Sequence, residues 1–89
     1  MTQYHRAVQS RVLGGEWEHY EHGGDSLSTA QRRARMAASA YGEGRVLEQR
    51  RERLNEPFTA PVEIARYVRD DSKGAGDNRL RARKVPVPS

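Results

Sequence analysis

The chain has 89 residues, with 16 Lys and Arg against 12 Asp and Glu, and its net charge is +4. It contains no cysteine, which excludes a disulfide framework and any thiolate site. No apolar run approaches the roughly 18 residues that a membrane-spanning helix needs. The N-terminus lacks the apolar segment of a signal peptide, so the sequence predicts a cytoplasmic protein without a membrane partner.

The apolar content is low. Leu, Ile, Val and Phe make up 14 of the 89 residues, which is below the roughly 20% under which charged chains tend towards disorder. Because a small domain with a thin core is only marginally stable alone, we expect support from nucleic acid, another protein or a second copy of the chain.

The basic residues are almost all arginine, and they are unevenly placed. Arg accounts for 14 of the 16 basic residues, and its rigid donor fork suits phosphate and carboxylate, although a GC-rich coding sequence produces the same excess. Residues 28–54 carry a net charge of +4 and residues 76–89 carry +3, whereas residues 1–27 carry −2 and residues 55–75 carry −1. This asymmetry favours a negatively charged partner.

The N-terminal residues allow two interpretations. The Gly14-Gly15 pair tolerates the positive φ of a primed two-residue turn, which favours a β-hairpin in which Val12 faces Trp17. The alternative is a short helix from Thr2 to Leu13, where apolar side chains recur at i, i+4 spacing. We prefer the hairpin, whose apolar face must then pack on the rest of the chain.

The middle of the chain shows an amphipathic helix pattern with an alanine-rich side. Ser26 or Ser28 is suited to cap the helix, because a hydroxyl accepts hydrogen bonds from first-turn N–H groups. Gly42 interrupts the pattern, and a glycine inside a helix costs about 1 kcal/mol relative to alanine. We therefore predict one helix from about Thr29 to Tyr41 and another from about Arg45 to Leu54, with a single continuous helix as the alternative.

One arginine-rich pattern occurs twice in this region. Its form is x-Gln-Arg-Arg-x-Arg-apolar, and its copies at residues 30–36 and 48–54 start 18 residues apart. At 3.6 residues per turn this offset is a whole number of turns, so both copies would face the same way on a continuous helix. Arg45 would lie at the edge of the resulting basic strip. The strip consists of Arg32, Arg35, Arg50 and Arg53.

The last third of the chain predicts a helix followed by a tail. Thr59-Ala60-Pro61 is typical of a helix start, and Ile64, Ala65 and Val68 would lie on its buried side. Residues 72–89 combine Gly, Pro and basic residues without apolar periodicity, which is typical of a disordered segment. The sequence therefore predicts a mainly α fold: about three short helices and an N-terminal β-hairpin within residues 1–71, and a flexible basic tail over residues 72–89.

No catalytic or metal-binding pattern is present. The sequence has no nucleophile placed beside a base and no glycine-rich phosphate loop, so we predict a non-enzymatic protein without a cofactor. His19 and His22, with Glu18 and Glu21, are residue types that bind zinc. They are adjacent in the chain, whereas structural zinc sites use four well-spaced ligands, so we predict no metal site.

A standard helix-turn-helix does not fit the chain. With the turn at Gly42, the buried apolar positions of the recognition helix would fall on Glu48 and Arg51.

The sequence favours a small, non-enzymatic, basic accessory protein that binds nucleic acid by neutralising phosphates. The alternative is a protein-interaction module, such as an inhibitor, an adaptor or a phage virion component, that binds a protein partner or forms a homodimer. In either case the predicted binding residues lie on the helical strip and in the tail: Arg32, Arg35, Arg45, Arg50, Arg53, Arg79, Arg81 and Arg83.

Overall fold

A computed structural model describes residues 2–71 and 81–88, in which one α-helix lies on one face of a five-stranded antiparallel sheet. The order of the strands across the sheet is β2-β1-β3-β4-β5, and the helix connects β2 to β3. The predicted mainly α fold is therefore wrong. The elements in chain order are β1 (Gln3–Arg11), β2 (Glu18–His22), α1 (Leu27–Tyr41), β3 (Glu43–Arg51), β4 (Val62–Arg69) and β5 (Ala82–Val85).

The helix α1 is bounded by the residues that the sequence suggests. The Ser26 side chain accepts a hydrogen bond from the backbone N–H of Thr29 at 3.1 Å and caps the N-terminus. At the other end the backbone N–H of Gly42 donates to the carbonyl oxygen of Ala38, and the φ of Gly42 is 134°. An L side chain rarely adopts this φ, so the predicted break at Gly42 is correct.

The core lies between α1 and the sheet and is built from small side chains. Ala30, Ala34, Ala37 and Ala38 are buried along one side of the helix, and Val8 and Val46 are the largest fully buried side chains. Val8 of β1 and Val46 of β3 are register partners. Four alanines and a pair of valines leave little depth between the layers, so the helix backbone lies close to the sheet.

The predicted second helix, Arg45 to Leu54, is wrong because this segment forms β3. All nine positions of β3 pair with β1, from Glu43 opposite Arg11 to Arg51 opposite Gln3, and β4 pairs on the other side. Helix propensities differ by only about 0.7 kcal/mol per residue for ordinary residues, and pairing on both edges outweighs that preference. The continuous arginine strip therefore does not exist.

The predicted third helix is also wrong, because its residues form β4. Ala65 and Tyr67 are both buried in the core beside α1. Their two-residue spacing is the alternation of a strand.

The chain ends differ in part from their predictions. β1 and β2 form an antiparallel pair, as in the hairpin interpretation, but Ser10 pairs with Glu18 and the connection is longer than two residues. The predicted pairing of Val12 with Trp17 is therefore wrong.

The predicted disordered tail is wrong for Ala82–Val85, which pairs with β4 as β5, and residues 72–80 lie outside the described residues. Within the described ranges, no helix has the length and apolar character needed to cross a bilayer.

Candidate nucleic-acid interface

One side of α1 faces the β4–β5 end of the sheet. Arg32, Arg35 and Ser39 follow one another at i, i+3 and i+7 and therefore form one stripe along the helix. The backbone N–H of Arg81 donates to Ser39 Oγ at 3.0 Å, and Arg69 Nη1 donates to the Ser39 carbonyl oxygen at 3.3 Å. These two bonds join β4 and the start of β5 to the helix, so the stripe continues onto the edge of the sheet.

The cations at this junction come from three separate elements. Lys84 of β5 is the register partner of Tyr67 in β4. Burial raises the pKa of Tyr67, and the nearby positive charge of Arg35 partly opposes that rise. Arg35 and Lys84 are therefore both neighbours of Tyr67. We call this group of exposed side chains the basic flank: Arg32, Arg35, Arg69 and Lys84.

Most of the charge of the basic flank is uncompensated. Arg69 forms an ion pair with Asp71, with a distance of 2.9 Å between Nε and Oδ1. In the part of the chain that the structure describes, no carboxylate lies within 4.0 Å of Arg32, Arg35 or Lys84. These three groups are exposed to solvent, so their charge and their hydrogen-bond donors are available to an anion.

The opposite side of the molecule is acidic. Arg33, on the other side of α1, pairs with Glu21 of β2 at 3.0 Å. β2 and β5 are the two outer strands of the sheet, so the uneven charge of the sequence becomes a separation of charge across the molecule. The acidic edge consists of Glu18, Glu21 and Asp25.

The sheet face away from α1 carries a second set of arginines around Trp17. The Cζ atoms of Arg11 and Arg45 each lie 4.3 Å from the centre of a Trp17 ring, and that of Arg66 lies at 5.2 Å. Trp17 is half-buried, and its ring packs on these guanidinium groups.

Two carboxylates hold these three arginines in place. Arg11 pairs with Glu43 at 2.9 Å, and Glu63 accepts from Arg45 at 3.0 Å and from Arg66 at 2.6 Å. Burial alone would raise the pKa of Glu63, but hydrogen bonds from Arg66 and Arg45 outweigh it and hold the pKa below its ordinary value. The hydrogen bond to Glu63 also raises the pKa of Arg66. This cluster is largely neutralised from within, unlike the basic flank.

The structure brings two of the eight predicted binding residues, Arg32 and Arg35, together in the basic flank. Arg81 reaches α1 through its backbone N–H, and Arg45 lies on the opposite face of the sheet in the Trp17 cluster. Arg83 alternates with Lys84 along β5 and points to the other face, where its Nε lies 3.4 Å from Asp70.

The remaining predicted residues do not join the flank. Arg50 is exposed at the end of β3, and Arg53 lies in the following loop, 3.8 Å from Glu56. Arg79 lies outside the described residues.

Arg69 is a flank residue that sequence reasoning missed, because β4 was interpreted as a helix. The two-residue spacing of Ala65, Tyr67 and Arg69 is the signal that could have placed it beside the core. The Trp17 cluster has no comparable local signal, because its arginines come from β1, β3 and β4.

Among the described residues, no group of three or more His, Asp or Glu side chains is arranged to hold a metal ion. Comparisons of the chain with models of protein families, with curated proteins and with solved structures gave no match.

Proposed function

We propose that the protein binds nucleic acid and that the basic flank contacts the phosphates. The observation that carries this proposal is the convergence of Arg32, Arg35 and Lys84, which are exposed and have no carboxylate within ion-pair distance among the described residues. Neutralising phosphates releases condensed counterions and gives affinity without reading the base sequence. No groove-reading helix is required for this mode.

The acidic edge supports the same proposal, because it defines the direction of approach. On the helix side of the sheet, a polyanion is repelled at the β2 end, where Glu18 pairs with the buried Ser10, and attracted at the β5 end. The charge separation therefore orients the molecule with its basic flank towards the polymer.

A pair of matched double substitutions tests this assignment. Arg32→Glu with Arg35→Glu reverses two charges on the flank, and Arg50→Glu with Arg53→Glu makes the same change in net charge elsewhere. We expect the flank variant to lose about tenfold or more in affinity for duplex and single-stranded DNA at low salt, because each lost phosphate contact removes one released counterion. Fluorescence anisotropy at several salt concentrations measures the loss, and circular dichroism shows whether each variant is folded.

Two results would reject the proposal. The first is equal weakening by the two double variants, since net charge alone would then account for binding. The second is no binding of the parent protein to either form of DNA at low salt, which would leave the protein-interaction alternative.

A further inference from the structure

The sheet face away from α1 carries two clusters of aromatic rings and arginines, one near each end of β3. The first is the Trp17 cluster described above. In the second, Arg51 Cζ lies 4.4 Å from the centre of the Phe58 ring, and the His5 ring centre lies 6.0 Å from that of Phe58. His22 extends this second cluster, since its ring centre is 5.1 Å from that of His5.

The side chains between the clusters are apolar or carry amides. Ala7 and Leu47 are register partners and are partly exposed. Gln9 Oε1 accepts from Arg45 Nε at 2.8 Å, and Gln49 Nε2 donates to a loop carbonyl at 3.0 Å. These bonds leave Gln9 Nε2 and Gln49 Oε1 without partners among the described residues, so one amide donor and one amide acceptor remain for the edges of bases.

This face has an excess of positive charge. The three arginines near Trp17 share two carboxylates, Glu43 and Glu63. Arg51 donates to Gln3 Oε1 at 2.7 Å, and no carboxylate lies within 4.0 Å of it in the described ranges. The face therefore complements an anion, although more weakly than the basic flank does.

The distance between the clusters suits a short single strand. Arg45 and Arg51 are six residues apart in β3, which corresponds to about 20 Å at the rise of a strand. Proteins that bind single strands without reading their sequence combine a positively charged groove with aromatic rings on which successive bases stack. Bases in a duplex are already stacked on one another, so stacking on protein rings favours the single strand.

We propose that the sheet face away from α1, which we call the helix-free face, binds single-stranded nucleic acid, with bases stacking on Trp17 in the first cluster and on Phe58 in the second. This inference rests on the proposed function and adds the form of the polymer. The basic flank supplies phosphate contacts to either form, and the helix-free face adds affinity for unpaired bases alone.

Three single substitutions test the proposal. Trp17→Leu and Phe58→Leu each remove one ring from the face. Tyr4→Leu is the matched control. The Tyr4 ring is 50% exposed and also contacts a guanidinium group, that of Arg6, but it lies on the opposite face of the sheet. We expect Trp17→Leu and Phe58→Leu each to weaken binding of an oligo-dT strand about tenfold and to leave the affinity for a duplex of equal length unchanged. Tyr4→Leu should change neither affinity.

The parent protein offers a second measurement, which does not depend on any variant being folded. Trp17 is the single tryptophan of the chain, so its emission reports on this face alone. Oligo-dT should quench the emission, and duplex DNA should quench it much less.

The outcomes separate this proposal from the one on which it rests. Unchanged Trp17 emission at saturating oligo-dT, or equal effects of Phe58→Leu and Tyr4→Leu, would overturn stacking while leaving the basic flank intact. No binding of any DNA would overturn both.

Discussion

Gly44 lies against the backbone of Ala34, so that a Cβ atom at position 44 would overlap the Ala34 carbonyl oxygen. The same atom would stand 3.0 Å from the backbone nitrogen of Ala38. The absence of a side chain at Gly44 therefore sets the distance between α1 and β3. Because this contact is made by backbone atoms, a rotamer change cannot relieve an added methyl group.

Gly44→Ala should destabilise the protein by about 3 kcal/mol, the upper part of the range for overpacking a core, since the whole helix must move. Urea unfolding followed by circular dichroism measures the change. Gly14→Ala is a suitable control, because Gly14 has a φ of 82° but no atom within 4 Å of an added Cβ. It should cost about 1–2 kcal/mol through its left-handed conformation alone. Equal losses at the two positions would contradict the close packing of α1 on β3.

Ser26→Ala should destabilise the protein by about 1 kcal/mol, because it leaves the backbone N–H of Thr29 without its side-chain acceptor. Ser28→Ala provides the comparison. Its Oγ lies 3.2 Å from Ser26 Oγ on an exposed part of the helix, and its loss should change stability by less than about 0.5 kcal/mol. Thermal melts of the two variants should therefore differ, and coincident melts would show that Ser26 is not an effective cap.

The Trp17 cluster should make stability depend on pH through Glu63. Burial opposes ionisation of Glu63, but hydrogen bonds from Arg66 and Arg45 outweigh it, and the folded-state pKa lies below the ordinary value of 4.5. The charge therefore stabilises the fold above about pH 4.5, and this contribution is lost as the pH falls through the lower, folded-state value. Glu63→Gln should be less stable than the parent at pH 7, and the difference should narrow at acidic pH. Urea midpoints from pH 7 to pH 3 would show this, and a constant difference would contradict it.

Lys84 and Arg83 are neighbours in β5, but only Lys84 is expected to affect the salt dependence of binding. Lys84→Gln removes an unpaired charge from the basic flank, so the slope of log affinity against log salt for duplex DNA should fall by about 0.9. Arg83→Gln removes a charge that faces Asp70 on the other side of the sheet, and the slope should stay unchanged. Anisotropy titrations between low and moderate salt measure both slopes. A larger effect at Arg83 would move the interface to the helix-free face.

The helix is the element that the sequence predicts well, because its signals are local. Ser26 accepts at one end and Gly42 has positive φ at the other, and both effects act within one turn. The alanine spacing between them matches the buried side of α1.

β3 and β4 were predicted wrongly because their pairing is not local. In β3 one core position is occupied by Gly44, and glycine does not count as an apolar residue in a hydrophobic pattern. The opposite face of the strand carries the long aliphatic stems of Arg45 and Arg51 in place of apolar side chains. The alternation of a strand is therefore hidden, and Arg, Glu and Gln suggest a helix. The repeated Gln-Arg-Arg pattern is divided between α1 and β3, so its 18-residue offset has no geometric meaning.

The candidate site was predictable only in part. Arg32 and Arg35 could be placed on an exposed helical surface from the spacing of the alanines alone. Their proximity to Arg69 and Lys84 depends on the strand order, which sets β4 and β5 beside one side of α1. The position of the acidic edge, on the side of the sheet away from β5, also follows from the strand order.

β1 occupies an inner position in the sheet although it is the first strand to be synthesised. Among the residue pairs that β1 forms with β3, the pair most distant in sequence is Gln3 with Arg51, and the pair closest in sequence is Arg11 with Glu43. A nascent chain that ends before β3 therefore holds β1 with one edge unpaired, next to β2 alone. Such distant pairings slow folding compared with local helical contacts, and the sheet is complete only once β5 has also left the ribosome.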